Sequence, residues 1–80
     1  MDWTLVRELR HTVSRRLGDR LRERPDMSLA SQREFARSLI AAEVAAWSDR
    51  QSRAGGTPPT VAQENTLADA TLAAIFGLGR

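Results

Sequence analysis

Two interruptions decide what this chain can fold into. Pro25 and the run Ala54-Gly55-Gly56-Thr57-Pro58-Pro59 divide its eighty residues into three segments. A proline cannot donate into a helical ladder and disfavours helical geometry at the residue before it, and neither helix nor strand continues through a Gly/Pro cluster. Between the breaks, apolar residues recur at spacings of three and four, the period of an α-helix, and no strand-like alternation competes. The expected fold is all-α: a three-helix bundle with helices over about 3–23, 31–52 and 60–77, forming a single small domain.

Each helix carries its own signals. In the first, Trp3, Val6, Leu9, Val13, Leu17 and Leu21 fall on one face. Asp2 is placed to cap it, and Gly18 is its weak link. In the second, Ser31-Gln32-Arg33-Glu34 reads as a capping box. Phe35, Leu39, Ala42 and Ala46 then form one apolar row, and Ala36, Ile40, Glu43 and Trp47 the next. In the third, Thr60 and Gln63 repeat the capping-box pattern, and Leu67, Ala70 or Thr71, Ala74, Ile75 and Leu78 supply the core stripe. Val61, Leu72 and Phe76 flank that stripe, and Gly77 or Gly79 is expected to close the helix in a left-handed C-cap.

Composition narrows the chemistry. With 41% hydrophobic and 28% charged residues the chain has material for a core and is too apolar to be wholly disordered. It contains no Cys and no Tyr, and all twelve basic residues are Arg. Disulfides, thiolate metal sites and a Cys nucleophile are thereby excluded, and the single imidazole, His11, faces away from the apolar stripe without a second His to share a metal. No apolar run approaches the roughly 20 residues that cross a bilayer, and the first residues, with Asp2 beside Met1, lack the basic and apolar regions of a signal peptide, so none is expected. A cytoplasmic location is expected. The net charge of +2 describes a mixed surface rather than a polycation, so nucleic acid is not an expected partner. The ending Gly77-Leu78-Gly79-Arg80 has neither the length nor the Lys of a phosphate-binding loop, and neither catalysis, a metal nor a cofactor is expected of these residues.

Two constellations remain. Arg7, His11, Arg15, Gly18 and Arg22 follow one another by four, four, three and four residues on the side of the first helix opposite its core, making an exposed basic ridge. Its guanidinium forks suit carboxylate or phosphate oxygens, whereas the lack of interleaved aromatics argues against single-stranded nucleic acid. Glu8 and Asp19 partly balance these charges, and Asp19 is placed to pair with Arg15 and Arg22. Glu43 is the second oddity: a carboxylate between Ile40 and Trp47 needs a partner, expected to be an Arg at the edge of the first helix's core stripe such as Arg10 or Arg20, with Arg16 also flanking that stripe. Both Trp3 and Trp47 are expected in the core or at its rim.

The segments Asp2-Trp3-Thr4-Leu5-Val6-Arg7-Glu8-Leu9-Arg10, Arg37-Ser38-Leu39-Ile40 and Leu67-Ala68-Asp69-Ala70 through Phe76-Gly77-Leu78-Gly79-Arg80 together resemble actinobacterial members of the CpaF/TadA family of type II/IV secretion ATPases. The likeness spans essentially the whole chain and is sharpest in its Phe-Gly-Leu-Gly-Arg ending. It implies an N-terminal helical accessory domain that precedes a motor domain lying beyond Arg80, where ATP and Mg would bind. It further implies docking on the ATPase core, on hexamer neighbours or on inner-membrane platform proteins of a Tad/Flp pilus machine, at the cytoplasmic face of the membrane. A second, partial likeness joins Arg16-Leu17-Gly18-Asp19-Arg20-Leu21 to the cyclic-di-GMP-binding motif of some other secretion and pilus ATPases, which would give Arg16 and Arg20 a nucleotide to hold. Pro25 stands where that motif has Gly.

Overall fold

The computed structural model describes residues 2–77 as helices α1 (Trp3–Glu23), α2 (Leu29–Arg53) and α3 (Val61–Phe76). Every helix packs on the other two, within a body of 44 × 27 × 19 Å. The expected all-α three-helix bundle is the fold observed.

The termini follow from local chemistry. Asp2 accepts a hydrogen bond from the Leu5 amide at 3.1 Å and so caps α1. At its other end the chain leaves helical geometry at Arg24, immediately before Pro25. The start of α2 differs from expectation. Its cap is Ser28, whose hydroxyl accepts from the Ser31 amide at 3.1 Å, and no Ser31–Glu34 box forms. Gln32 reaches back to the Met27 carbonyl at 3.0 Å. Ser28 is the earlier of two competent caps, and Leu29 and Ala30 behind it are strong helix formers, so starting there adds backbone hydrogen bonds to the helix at no steric cost.

For α3 the expected box is present. Thr60 accepts from the Gln63 amide at 3.1 Å, and the Gln63 side chain accepts from the Thr60 amide at 2.8 Å. Gly77 closes the helix at φ +67, the left-handed conformation in which a Cβ would be strained. The expectations for Leu78 and Gly79 lie outside the described residues.

The core is made by Val6, Leu9, Val13 and Leu17 of α1, Ala36, Ile40 and Val44 of α2, and Leu67, Thr71 and Leu72 of α3. The buried Thr71 hydroxyl donates to the Leu67 carbonyl at 2.8 Å, which removes the cost of an orphan polar group. Four residues expected inside are outside. Ala42, Ala46 and Ala74 are exposed, and Trp3 is 66% exposed. Alanines surround much of α2, so its sequence gives weak directional preference. The helix turns to bury Val44, which has more apolar surface to remove from water than Ala42 or Ala46. Trp3 lies on the first turn at the margin of the buried stripe of α1, whereas Trp47 packs against the core as expected.

Candidate functional site

The outward side of α1 carries several cations within three turns of helix. Arg7, His11, Arg15 and Arg22 are all exposed, as the spacing implies. They do not act as one strip. Arg22 is held by Asp19, donating to its carboxylate at 2.9 Å, while the expected Arg15–Asp19 pair does not form. Among the described residues, Arg7, Arg10, His11 and Arg15 have no carboxylate within ion-pair distance.

Arg7, Arg10, His11 and Ser14 together line a shallow depression of about 240 Å³. Arg10 and Ser14 are not members of the ridge of Arg7, His11, Arg15, Gly18 and Arg22. The signal was available in the spacing, because Trp3, Arg7, Arg10 and Ser14 advance by four, three and four residues and so form a row of their own on one helix face. The exposed indole of Trp3 heads that row.

The other nominated arginines are occupied within the fold. Arg16, rather than Arg10 or Arg20, pairs with Glu43, at 3.6 Å across the α1–α2 seam. Arg16 lies at the level of Glu43 on the α2 side of α1. Arg20, one turn further on, lies over the Phe35 ring at 5.5 Å and pairs with Glu23 at 3.7 Å, and Arg10 is on the outward face. With the Arg16 side chain 57% exposed, screening by water limits that pair to at most about 1 kcal/mol. Neither Arg16 nor Arg20 presents a free guanidinium to a nucleotide without giving up one of these contacts. Arg33 makes a parallel contact at the α2–α3 seam, with its guanidinium 6.0 Å from the Phe76 ring. The Nε atoms of Arg20 and Arg33 are buried without hydrogen-bond partners, so both side chains serve chiefly by laying their stems and planar heads on aromatic surface.

A second concavity was not foreseen from the sequence. The first turn of α1, the last turns of α2, the connecting loop and the start of α3 enclose an open groove of about 500 Å³, lined among others by Leu5, Trp47, Gln51, Pro59, Ala62 and Leu67. Because these three helix ends meet there, α1 and α3 run one way and α2 the other. The loop residue Pro59 provides one wall, a role that no helical periodicity reveals.

Among the described residues no cluster of His, Asp or Glu converges as a metal site requires, and no helix is long and apolar enough to cross a membrane. Comparison with protein-family models, curated proteins and solved structures finds no match for this chain.

Proposed function

We propose that this chain is a non-catalytic docking and regulatory domain of a pilus-assembly or secretion ATPase, and that it acts by protein contact through the exposed face of α1. The observation that carries this reading is the group of cations on that face, Arg7, Arg10, His11 and Arg15, which find no carboxylate among the described residues. Arg16, Arg20, Arg22 and Arg53 each pair with an acid, and Arg24 at the end of α1 and Arg33, Arg37 and Arg50 along α2 also lack an ion pair among the described residues. Charges left unpaired on one face raise the rate at which an oppositely charged surface finds that face, and they fix its orientation on arrival. The parent machine is supplied by the resemblance to CpaF/TadA ATPases, in which the partners would be the motor domain, hexamer neighbours and membrane platform proteins at the cytoplasmic face. ATP and Mg would belong to the motor.

A photo-crosslinking residue placed at position 11 in the producing cell tests the proposal. Adducts should contain peptides of a secretion or pilus ATPase motor or of its platform, and the double variant Arg7→Glu, Arg15→Glu should abolish them. Adducts confined to unrelated proteins, or insensitive to that variant, would overturn it.

A further inference from the structure

We infer that the partner segment received by α1 is a short acidic helix, with carboxylates repeating every three or four residues and one apolar residue that covers Trp3. This inference rests on the docking reading above and specifies its chemistry. The receiving row is Trp3, Arg7, Arg10 and Ser14, with His11 and Arg15 beside it.

Three features select that occupant. The cations advance along the helix axis by three and four residues, a rise of about 5 Å per step. Carboxylates at i, i+3 and i+4 on a facing helix have the same repeat. The depression among Arg7, Arg10, His11 and Ser14 offers guanidinium, imidazole and hydroxyl groups on one helix face with no acid among its lining, and a guanidinium fork engages both oxygens of a carboxylate laid against it.

Trp3 supplies the remaining feature. It is one of three large hydrophobic side chains among the described residues that are more than half exposed, the others being Leu29 and Val61, and it is the one that heads the cationic row. A large, rigid indole next to arginines has the composition of an interface anchor, where a few aromatic and Arg residues carry most of the binding energy. The same face suits a bilayer less well. Trp3 is its single apolar residue, whereas a helix lying in the membrane interface buries a full apolar stripe, and the apolar stripe of α1 is already spent in the core. The strip ends where Asp19 engages Arg22, which sets the partner helix at about three turns.

The test uses the whole chain with Trp47→Phe, leaving Trp3 as the only indole. The titrant is a synthetic Ala-based helix carrying Glu at every fourth position and one Leu near an end. Its comparators are a peptide of the same composition with the Glu residues distributed round the helix, vesicles of phosphatidylglycerol and phosphatidylcholine, and inorganic phosphate. The striped helix should shift Trp3 emission saturably, bind about tenfold more tightly than the redistributed peptide, and weaken as salt is raised. By calorimetry, Trp3→Ala and Arg10→Gln should each lower affinity by about tenfold, while Arg37→Gln, an exposed charge on α2, should leave it unchanged. Arg10→Gln removes charge from a solvated position, so it reads the site even where Trp3→Ala perturbs the end of α1.

Equal binding of both peptides, or a response to phosphate alone, would reduce the face to unspecific charge and overturn the inference. A response to vesicles without one to the helix would reassign the face to a membrane and overturn it as well. Crosslinking from position 11 separates the two levels: motor or platform adducts without acidic-helix binding would remove this inference and leave docking standing, whereas loss of both would remove both.

Discussion

Gly18 is a glycine that the fold does not require. It lies within α1 at ordinary helical geometry, and a Cβ built on it meets nothing within 4 Å. Glycine in a helix interior costs about 0.5–1 kcal/mol relative to alanine, because the unfolded chain loses more freedom on ordering and no side chain is gained. Gly18→Ala should therefore stabilise the domain by about that amount, raising the melting temperature by several degrees for a domain of this size. Thermal unfolding followed by circular dichroism checks it, and a lower melting temperature would mean that Gly18 has a conformational role absent from this geometry. Gly77 is the opposite case. At φ +67 it occupies backbone space where an added Cβ is strained. The sequence alone distinguishes the two by position, one amid apolar periodicity and the other at its end, but the open space around Gly18 needed the structure.

At the scale of the element, the start of α2 separates what pattern reveals from what it does not. Ser28 and Ser31 are both competent caps, and the Glu34 that completes a box favours Ser31 in the sequence, whereas the backbone begins its helix at Leu29. Ser28→Ala should cost about 1 kcal/mol and Ser31→Ala only a few tenths. Urea denaturation of the two variants should rank them in that order, and the reverse ranking would place the helix start three residues later. The same limit recurs along the helices. The spacings locate α1 and α3 to within a residue, because Pro25 and the Gly55–Pro59 cluster stop them physically. They do not orient α2, because alanines at 41, 42, 45 and 46 leave several faces nearly equivalent, and the choice of Val44 is made by tertiary packing. They place Glu43 correctly as a carboxylate in need of a partner but cannot say which arginine is level with it across the seam. For the candidate site, the ridge of Arg7, His11 and Arg15 was readable as a row. The participation of Trp3 and Arg10 depended on knowing that no neighbouring helix covers them.

The whole molecule divides its tasks between inside and outside, and this makes stability and docking separable. Eighty residues imply a total stability of about 4–12 kcal/mol. No disulfide staples the chain, so this rests on packing around Val13, Ile40 and Thr71, the largest fully buried side chains. Ile40 stands 2% exposed among contributions from all three helices, and truncating it removes buried apolar surface and leaves a cavity that the surrounding helices fill only in part. Ile40→Ala should cost about 2–5 kcal/mol, enough to take away much of the total. Arg7→Glu with Arg15→Glu touches only solvated positions on α1, where surface substitutions shift stability by about 0.5 kcal/mol or less. Urea unfolding of both proteins, paired with binding of the striped acidic helix under conditions where each remains folded, should show a large loss of stability with unchanged affinity for Ile40→Ala. The arginine variant should show nearly unchanged stability with binding lost. A core variant that lost affinity in proportion to its stability would mean that the α1 face is assembled only through the packing beneath it. Retention of affinity by the arginine variant would mean that the contact lies elsewhere, and the groove beside Trp47 would then be the surface to test.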